Sequence, residues 1–278
     1  ATITDVIADA DAIGDDDLRA RALVDGVWIS GVDLYRADDA RRLAAFASGA
    51  IERAGLVHAL GPGLHEALGL AAMYEGNNAV ARTELQLALD GTEAPQARAT
   101  LHANLASVML RERDAKGAVT ELERALAQLD TPTLDDPHAR AGVLNNLGYA
   151  LLAADRPADA LVIHRRSLGL REQLSGADSL EAANASGGVG LALLALAQPK
   201  EARAPLERAL AIRLAHEGRP EDLAEVRFGL ARALDSTDPR ARELARAALA
   251  TYQSPELGQS YAREAASVAA WLAQATPR

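Results

Sequence analysis

The chain has 278 residues, of which 49% are hydrophobic and only 3% aromatic, so its apolar side chains are mostly Ala, Leu and Val. This composition favours packed helices over a β-sandwich or barrel, which needs more β-branched and aromatic residues. A formal net charge of -10 argues against a nucleic-acid partner, and the absence of cysteine excludes disulfides, thiolate metal sites and cysteine nucleophiles.

The first predicted element is an amphipathic helix, because Ile3, Val6, Ile7 and Ala10 are spaced at i, i+3, i+4 and i+7. This pattern is already under way at Ala1, which is not a methionine, so we expect a piece of a longer protein. No apolar run approaches the roughly 20 residues that cross a bilayer, and we expect a soluble, cytoplasmic module without a membrane segment.

Residues 21–55 are predicted to form a degenerate helix pair. Its first helix contains Trp28 and Gly31, and its second contains Leu43, Ala47 and Ala50. We expect the Trp28 ring to pack in the core, which is the usual place of a large aromatic side chain.

An internal repeat follows, with a period of 42 residues. The period is marked by three pairs of a large and a small residue, Leu105-Ala106, Leu147-Gly148 and Val189-Gly190, and by Ala118, Ala160 and Ala202 in the second half of each unit. Looser copies flank these three units, 37 residues upstream and 39 residues downstream. A fixed period of this length predicts a solenoid of repeated supersecondary units.

Each unit is predicted to contain two helices separated by a short polar break. Asp155-Arg156-Pro157 is one such break, and we expect its Asp to cap the next helix and its Pro to occupy the first turn. Gly61-Pro62-Gly63 is predicted to be an inter-helix loop, whereas Gly187-Gly188-Val189-Gly190 is predicted to lie within a helix.

The last predicted element is an amphipathic helix that covers the open end of the stack, as solenoid ends require. Its apolar residues are Leu257, Tyr261, Val268, Trp271 and Leu272.

The sequence lacks the residues that catalysis would need. Phosphoryl transfer requires a glycine-rich phosphate loop and a lysine on a strand, but Lys116 and Lys200 are the only lysines and both lie at predicted helix starts. The six histidines have no metal-ligand spacing, and no Ser-His-Asp arrangement is distinguishable. We therefore expect no catalytic residue, no metal and no cofactor in this part of the protein.

The repeat resembles a known family. Its pattern of L-G, L, A, a large residue and A resembles the tetratricopeptide repeat (TPR), and the 42-residue period with an LNNLG core at Leu144–Gly148 resembles the kinesin-light-chain-like type. The resemblance implies an all-α, right-handed solenoid of antiparallel helix pairs. It implies degenerate helices over residues 1–55, tandem repeats over 56–253 (about 56–92, 93–136, 137–178, 179–220 and 221–253) and a C-terminal capping helix over 254–278.

The order of motifs is also similar to the C-terminal TPR region of large bacterial serine/threonine protein kinases. The motifs that carry this similarity are the degenerate Trp28 repeat, Arg227–Leu234, Ala241–Tyr252 and Val268–Ala273. If the parent protein is such a kinase, its catalytic residues lie outside this chain.

Several asparagines lie inside predicted helices, where this residue is unfavourable because its side chain competes for backbone hydrogen bonds. Asn104 and Asn146 hold the same repeat position, and Asn145 is adjacent. The TPR resemblance implies that this position faces a concave groove, where a carboxamide can both donate to and accept from an extended peptide. The alternative is that these residues bond neighbouring repeats.

The predicted peptide-binding residues are therefore Asn104, Asn145, Asn146, Tyr149, Arg111, Asn184, Arg227 and Ser107. We expect a protein- or peptide-binding module that serves as the regulatory or partner-recruiting region of a bacterial kinase, with self-association as a further possibility. The alternatives are the effector-sensing helical domain of a transcriptional regulator and a stand-alone oligomerising scaffold.

Overall fold

The computed structural model describes residues 3–130, 136–235, 237–255, 257 and 261–274. Over these residues the regular secondary structure is entirely helical, which confirms the prediction of an all-α fold. The chain divides into two compact units, residues 1–135 and 136–278.

The first unit contains seven helices in its described residues. They are α1 (Ile3–Ile13), α2 (Asp16–Trp28), α3 (Ala37–Ala54), α4 (Val57–Tyr74), α5 (Asn78–Asp90), α6 (Pro95–Arg111) and α7 (Ala115–Leu129). A single π-helical turn, Ile29–Asp33, extends α2. Neighbouring helices pack as the pairs α2 with α3, α4 with α5 and α6 with α7.

The second unit also contains seven helices where it is described. They are α8 (Pro137–Ala153), α9 (Pro157–Ser175), α10 (Leu180–Ala195), α11 (Pro199–Ala215), α12 (Pro220–Ala233), α13 (Pro239–Tyr252) and α14 (Ala262–Gln274). The pairs are α8 with α9, α10 with α11 and α12 with α13, and α14 packs against α13. The first helices of successive pairs are also neighbours, since α10 contacts both α8 and α12.

The turn has one recurring backbone geometry in four of the pairs, from α4 with α5 to α10 with α11. Gly76, Arg113, Asp155 and Ala197 all have positive φ, at 81°, 65°, 57° and 57°. In each turn the N–H of the following residue donates to a carbonyl five residues earlier, as Asp114 does to Met109 at 2.8 Å. This is the Schellman motif that ends an α-helix with one left-handed residue. The first helix therefore stops at the same place in these four repeats.

The helix caps agree with part of the sequence prediction. Asp114 and Asp238 cap α7 and α13, accepting hydrogen bonds from the N–H groups of Gly117 and Arg240 at 2.9 Å. The prediction that Asp155 caps α9 is wrong, because Asp155 is the left-handed residue of the preceding turn and Arg156 occupies the cap without a side-chain bond.

The two helices of a pair approach closely where a glycine of the first faces a large side chain of the second. Gly69 faces Leu85, Gly148 faces His164 and Gly190 faces Leu206. A Cβ added at Gly148 would lie 2.5 Å from the His164 ring, well inside van der Waals contact. All three large side chains are fully buried. This contact between glycine and a large side chain is the core of each of these repeats.

His164 occupies a position that other repeats fill with leucine. Leu85, Leu122 and Leu206 are its counterparts at the repeat spacing, and all are fully buried like His164. The ring lies between Gly148 of α8 and Gly188 of α10, and neither ring nitrogen has a hydrogen-bond partner in the described structure. Burial lowers the pKa of His164 to about 4, so the ring is neutral at physiological pH.

Two sequence expectations about the first unit are wrong. Gly61-Pro62-Gly63 lies inside α4 rather than in a loop. Pro62 packs against Gly91 at the end of α5, so tertiary contacts retain a proline that helix propensity disfavours. Trp28 is 36% exposed, whereas the adjacent Val27 is fully buried. Successive helical residues point about 100° apart, and Val27 lies on the buried face of α2.

The C-terminal helix α14 covers the end of the second unit, as predicted. Val268 and Ala265 are buried in a cluster that includes Ala248 and Tyr252 of α13. Trp271 meets the edge of the Phe228 ring of α12, with ring centroids 6.3 Å apart. Ala265, Val268 and Trp271 of this helix therefore close the apolar end of the last repeat.

The glycine contact gives a test with a matched control. Gly190→Ala should destabilise the protein by about 1–3 kcal/mol, because the new methyl group overlaps Leu206. Gly169→Ala, in α9, adds its methyl group to open space and should stabilise by about 0.5–1 kcal/mol through helix propensity. Urea unfolding of both variants measures the two effects, and the same sign for both would contradict the close-contact interpretation.

A second test uses the buried histidine. Folding lowers the pKa of His164 from 6.5 to about 4, so the unfolded chain binds the proton more readily and stability falls as the pH drops below about 6.5. Between pH 7.5 and 5 this linkage removes about 2 kcal/mol. His164→Leu, the repeat's own alternative, should lose this dependence.

Unfolding of both proteins at the two pH values measures the effect. Other titrating groups contribute to both proteins and cancel in the difference. A free-energy gap between wild type and variant that does not change with pH would contradict the prediction.

Candidate functional site

A cavity of about 390 Å³ lies in the second unit. Asn145, Asn146 and Tyr149 of α8 form one wall, and Asn184 of α10 lies beside them. The remaining walls come from α11 to α14 and the residues next to them. The cavity therefore combines side chains from the first helices of three successive pairs with the C-terminal helix.

Both arginines of the cavity are already neutralised by acidic neighbours. Arg213 of α11 is 8% exposed, forms an ion pair with Asp222 at 3.3 Å and donates to the Asn184 carboxamide oxygen. Arg219, just before α12, forms an ion pair with Glu221 at 2.5 Å. These guanidinium groups organise the wall and leave no free positive charge at it.

Glu225 is the carboxyl group at the centre of the site. It lies on α12 and accepts a hydrogen bond from the Tyr149 hydroxyl at 3.3 Å. Burial, with a smaller contribution from Asp222, raises the pKa of Glu225 to about 7. The same burial, with Glu225 next in effect, raises the pKa of Tyr149. A carboxyl group that titrates near neutral pH in a concave site is a common sign of function.

Tyrosines supply the aromatic surface of the cavity. Tyr252 of α13 stacks on Tyr261, which immediately precedes α14, with ring centroids 5.6 Å apart and planes inclined by 16°. The Tyr261 hydroxyl donates to Glu221 at 3.3 Å. With Tyr149, three of the chain's five tyrosines line this one cavity.

A second cavity of about 230 Å³ adjoins the first and is more apolar. Glu225, Tyr252 and Glu264 line both cavities, while Phe228 and Leu191 line only the second. The combined surface can hold a polar or charged group next to an apolar one.

Four of the predicted site residues meet at the first cavity. Asn145, Asn146, Tyr149 and Asn184 all line it. Asn146 is exposed, and the Asn145 carboxamide oxygen is buried without a hydrogen-bond partner in the described structure. Asn184, in contrast, is engaged by Arg213. Asn145 and Asn146 are therefore the side chains available to a ligand.

Three other predicted residues lie in the first unit, on α6. The Asn104 carboxamide donates to Glu66 of α4 at 3.1 Å, so it bonds a neighbouring repeat. The Ser107 hydroxyl donates to the Ala103 carbonyl within its own helix. Arg111 is exposed in the last turn of α6. Their role in binding stays a prediction.

Arg227 does not line either cavity, although the sequence places it at the repeat position of Asn146. Glu225, two residues earlier, faces the cavity, and two residues correspond to about 200° around a helix. Sequence reasoning missed Glu225, Tyr252, Tyr261 and Glu264. The rarity of tyrosine is the sequence signal for two of them, although the apolar pattern of the last helix places Tyr261 in end packing.

The described ranges hold no group of three His, Asp or Glu side chains arranged to bind a metal ion. No helix in those same ranges is long and apolar enough to span a membrane.

The fold and the repeat period define the class of the protein. Residues 139–215 match the family model of the tetratricopeptide repeat, and this range covers α8 to α11 and the asparagine wall of the cavity. Over this matched range, the helix pairs α8 with α9 and α10 with α11 correspond to tetratricopeptide repeats. A search of curated protein sequences finds no match.

Solved structures resemble between 71% and 100% of this chain, and because their sequence identities are 20% or less they establish the fold alone. BtubC (BKLC) from P. vanneervenii is 20% identical with a TM-score of 0.55, covering 100% of this chain and 95% of that one. A protein of Podosopora anserina described as a kinesin light chain with nearly identical TPR-like repeats is 17% identical, with a TM-score of 0.60, covering 71% and 95%. A Rap protein complexed with competence and sporulation factor is 12% identical, with a TM-score of 0.59, covering 98% and 81%. The fold is that of kinesin-light-chain-like TPR proteins.

Glu225 gives a test of the site's electrostatics. Folding raises the pKa of Glu225 from 4.5 to about 7, because the folded protein favours the protonated carboxyl group. The contribution of this group to the free energy of unfolding is therefore fully present below pH 4.5 and is lost as the pH rises through 7. Glu225→Gln should therefore be more stable than wild type at pH 8.5, and this advantage should shrink by about 2 kcal/mol at pH 5.

Urea unfolding at both pH values measures this difference. Glu243→Gln, at an exposed position of α13, is the control and should show no such change. An advantage of Glu225→Gln that is equal at the two pH values would contradict the raised pKa.

Proposed function

We propose that this chain is a peptide-binding TPR module whose ligand enters the cavity of the second unit. The observation that carries the proposal is the meeting of Asn145, Asn146 and Tyr149 at a concave surface of about 390 Å³. Cavities of this size and mixed polarity are typical binding sites.

The asparagines supply what an extended peptide requires. A peptide backbone offers alternating N–H donors and carbonyl acceptors, and each carboxamide can satisfy one of each. Asn146 is exposed, and the Asn145 oxygen lacks a partner in the described structure. A ligand that bonds these groups gains hydrogen bonds without breaking any that the described side chains make.

The comparisons support a binding role for this fold. The Rap protein of similar fold is a complex with competence and sporulation factor.

The proposal extends to the parent protein through the sequence resemblance to the C-terminal TPR region of bacterial serine/threonine kinases. In such a parent the module is cytoplasmic and recruits a partner or substrate by a peptide segment. The coding sequence upstream of Ala1 tests this part. Kinase motifs there would support it, and a helix-turn-helix would contradict it in favour of a transcriptional regulator.

Peptide binding is tested by selecting ligands from phage-displayed random peptides and measuring the affinity of a selected peptide by calorimetry. Asn146→Ala should weaken binding about tenfold, because it removes hydrogen bonds worth about 0.5–1.5 kcal/mol each. Its stability should stay unchanged, since Asn146 is exposed and makes no contact that the fold needs.

Gln173→Ala, at an exposed position of α9 outside the cavity, is the matched control and should bind normally. A library that yields no ligand would overturn the function. Equal affinities of the two variants would overturn the location of the site.

A further inference from the structure

The charged groups of the cavity are unbalanced. Arg213 and Arg219 line it together with four carboxylates, those of Glu221, Asp222, Glu225 and Glu264. Each guanidinium is already held by one carboxylate, Arg213 by Asp222 and Arg219 by Glu221. Glu225 and Glu264 are the two carboxyl groups that remain.

Neither of these two carboxyl groups forms an ion pair in the described part of the chain. In the described ranges no Arg, Lys or His nitrogen lies within 4.0 Å of Glu225 or Glu264. Arg232 and Arg263 line the adjoining cavity without forming such a pair, and Arg232 instead lies over the Phe228 ring at 5.8 Å. The protein therefore holds two acidic groups outside any ion pair at one concave surface, and Arg213 acts on Glu225 only from beyond 4.0 Å.

The surrounding groups make this surface more than an acidic cluster. It is a cavity, and Tyr149, Tyr252 and Tyr261 line it. The Tyr149 hydroxyl orients one oxygen of Glu225 by donating to it. Aromatic rings and oriented carboxylates together are the arrangement that attracts a guanidinium or ammonium group from water.

We propose that this cavity binds a guanidinium or primary ammonium group of the peptide ligand, with Glu225 and Glu264 as its counter-ions and the tyrosines as its aromatic walls. The inference rests on the proposed function and names the ligand's chemistry. The adjoining apolar cavity, with Phe228 and Leu191, accommodates a neighbouring apolar side chain. The module is thus specific for a basic residue next to an apolar one.

The titration of Glu225 gives the binding a pH dependence. Its pKa is about 7 in the free protein. The groups that act on it are Tyr149 from α8, Arg213 from α11 and Asp222 and Glu264 from α12 and α14. A bound cation favours the carboxylate form, so affinity for the cation should fall about tenfold between pH 8 and pH 6.

The test is an NMR titration of the ¹⁵N-labelled chain with N-acetyl-arginine methylamide. N-acetyl-citrulline methylamide, which has nearly the same shape but no charge, is the matched control ligand. Arginine should shift amide signals around Tyr149 and Tyr252 and bind at least tenfold more tightly than citrulline. Equal binding of the two, or no saturable shift with arginine, would overturn the proposal.

Two further ligands distinguish the source of the cation. N-acetyl-lysine methylamide presents a side-chain ammonium, and glycine amide presents only a free amino terminus. Either binding like arginine supports the shared chemistry, and their ranking shows whether a basic side chain or a peptide amino terminus is the better ligand.

Variants connect the binding to the two carboxyl groups. Glu225→Gln and Glu264→Gln should each weaken arginine binding at least fivefold at pH 8, and Glu225→Gln should remove the pH dependence. Glu243→Gln, on α13 outside the cavity, should bind like wild type. Unchanged binding by both cavity variants would overturn the assignment.

The failure of this proposal is distinguishable from failure of the proposed function. Phage-selected peptides that bind the cavity but contain no basic residue and have a blocked amino terminus would overturn the cation site and leave the peptide-binding function intact.

Discussion

In each of three repeats a glycine of the first helix lies directly against a large buried side chain of the second, and the rest of the structure depends on this close approach. Gly69 faces Leu85, Gly148 faces His164 and Gly190 faces Leu206. A chain with only 3% aromatic residues has few large side chains with which to fill wide gaps. Its helices must therefore approach closely, and glycine permits this without overlap.

The close contact also explains how His164, which replaces a core leucine, is connected to the cavity. His164 takes a leucine position between two glycines, and the Tyr149 ring meets it edge to face with centroids 4.9 Å apart. The hydroxyl of the same tyrosine donates to Glu225. Tyr149 thus joins the apolar core of one repeat to the carboxyl group of Glu225. His164, with its lowered pKa, and Glu225, with its raised pKa, lie at the two ends of this contact chain.

The asparagines show how one repeat position acquires different roles. Asn104 and Asn146 are equivalent in the sequence, but Asn104 bonds Glu66 of a neighbouring repeat while Asn146 stays exposed at the cavity. The Asn184 carboxamide oxygen accepts a hydrogen bond from Arg213, which is itself buried, so this oxygen already has a partner. The partner that a polar side chain finds depends on the residue that the adjacent repeat presents. That residue varies from repeat to repeat, because only the packing positions are constrained by the period.

The sequence by itself determined the helices, the 42-residue period and the all-α fold, because these depend on spacings within one or two helical turns and on small residues at fixed intervals. It also predicted four residues of the cavity, since Asn145, Asn146, Tyr149 and Asn184 lie on first helices whose inward face follows from the repeat. Only the tertiary structure decided that Glu225 rather than Arg227 faces the cavity, that Tyr252, Tyr261 and Glu264 join it, and which carboxylates remain unpaired. Those outcomes depend on distances between side chains far apart in the sequence, and no local pattern encodes such distances.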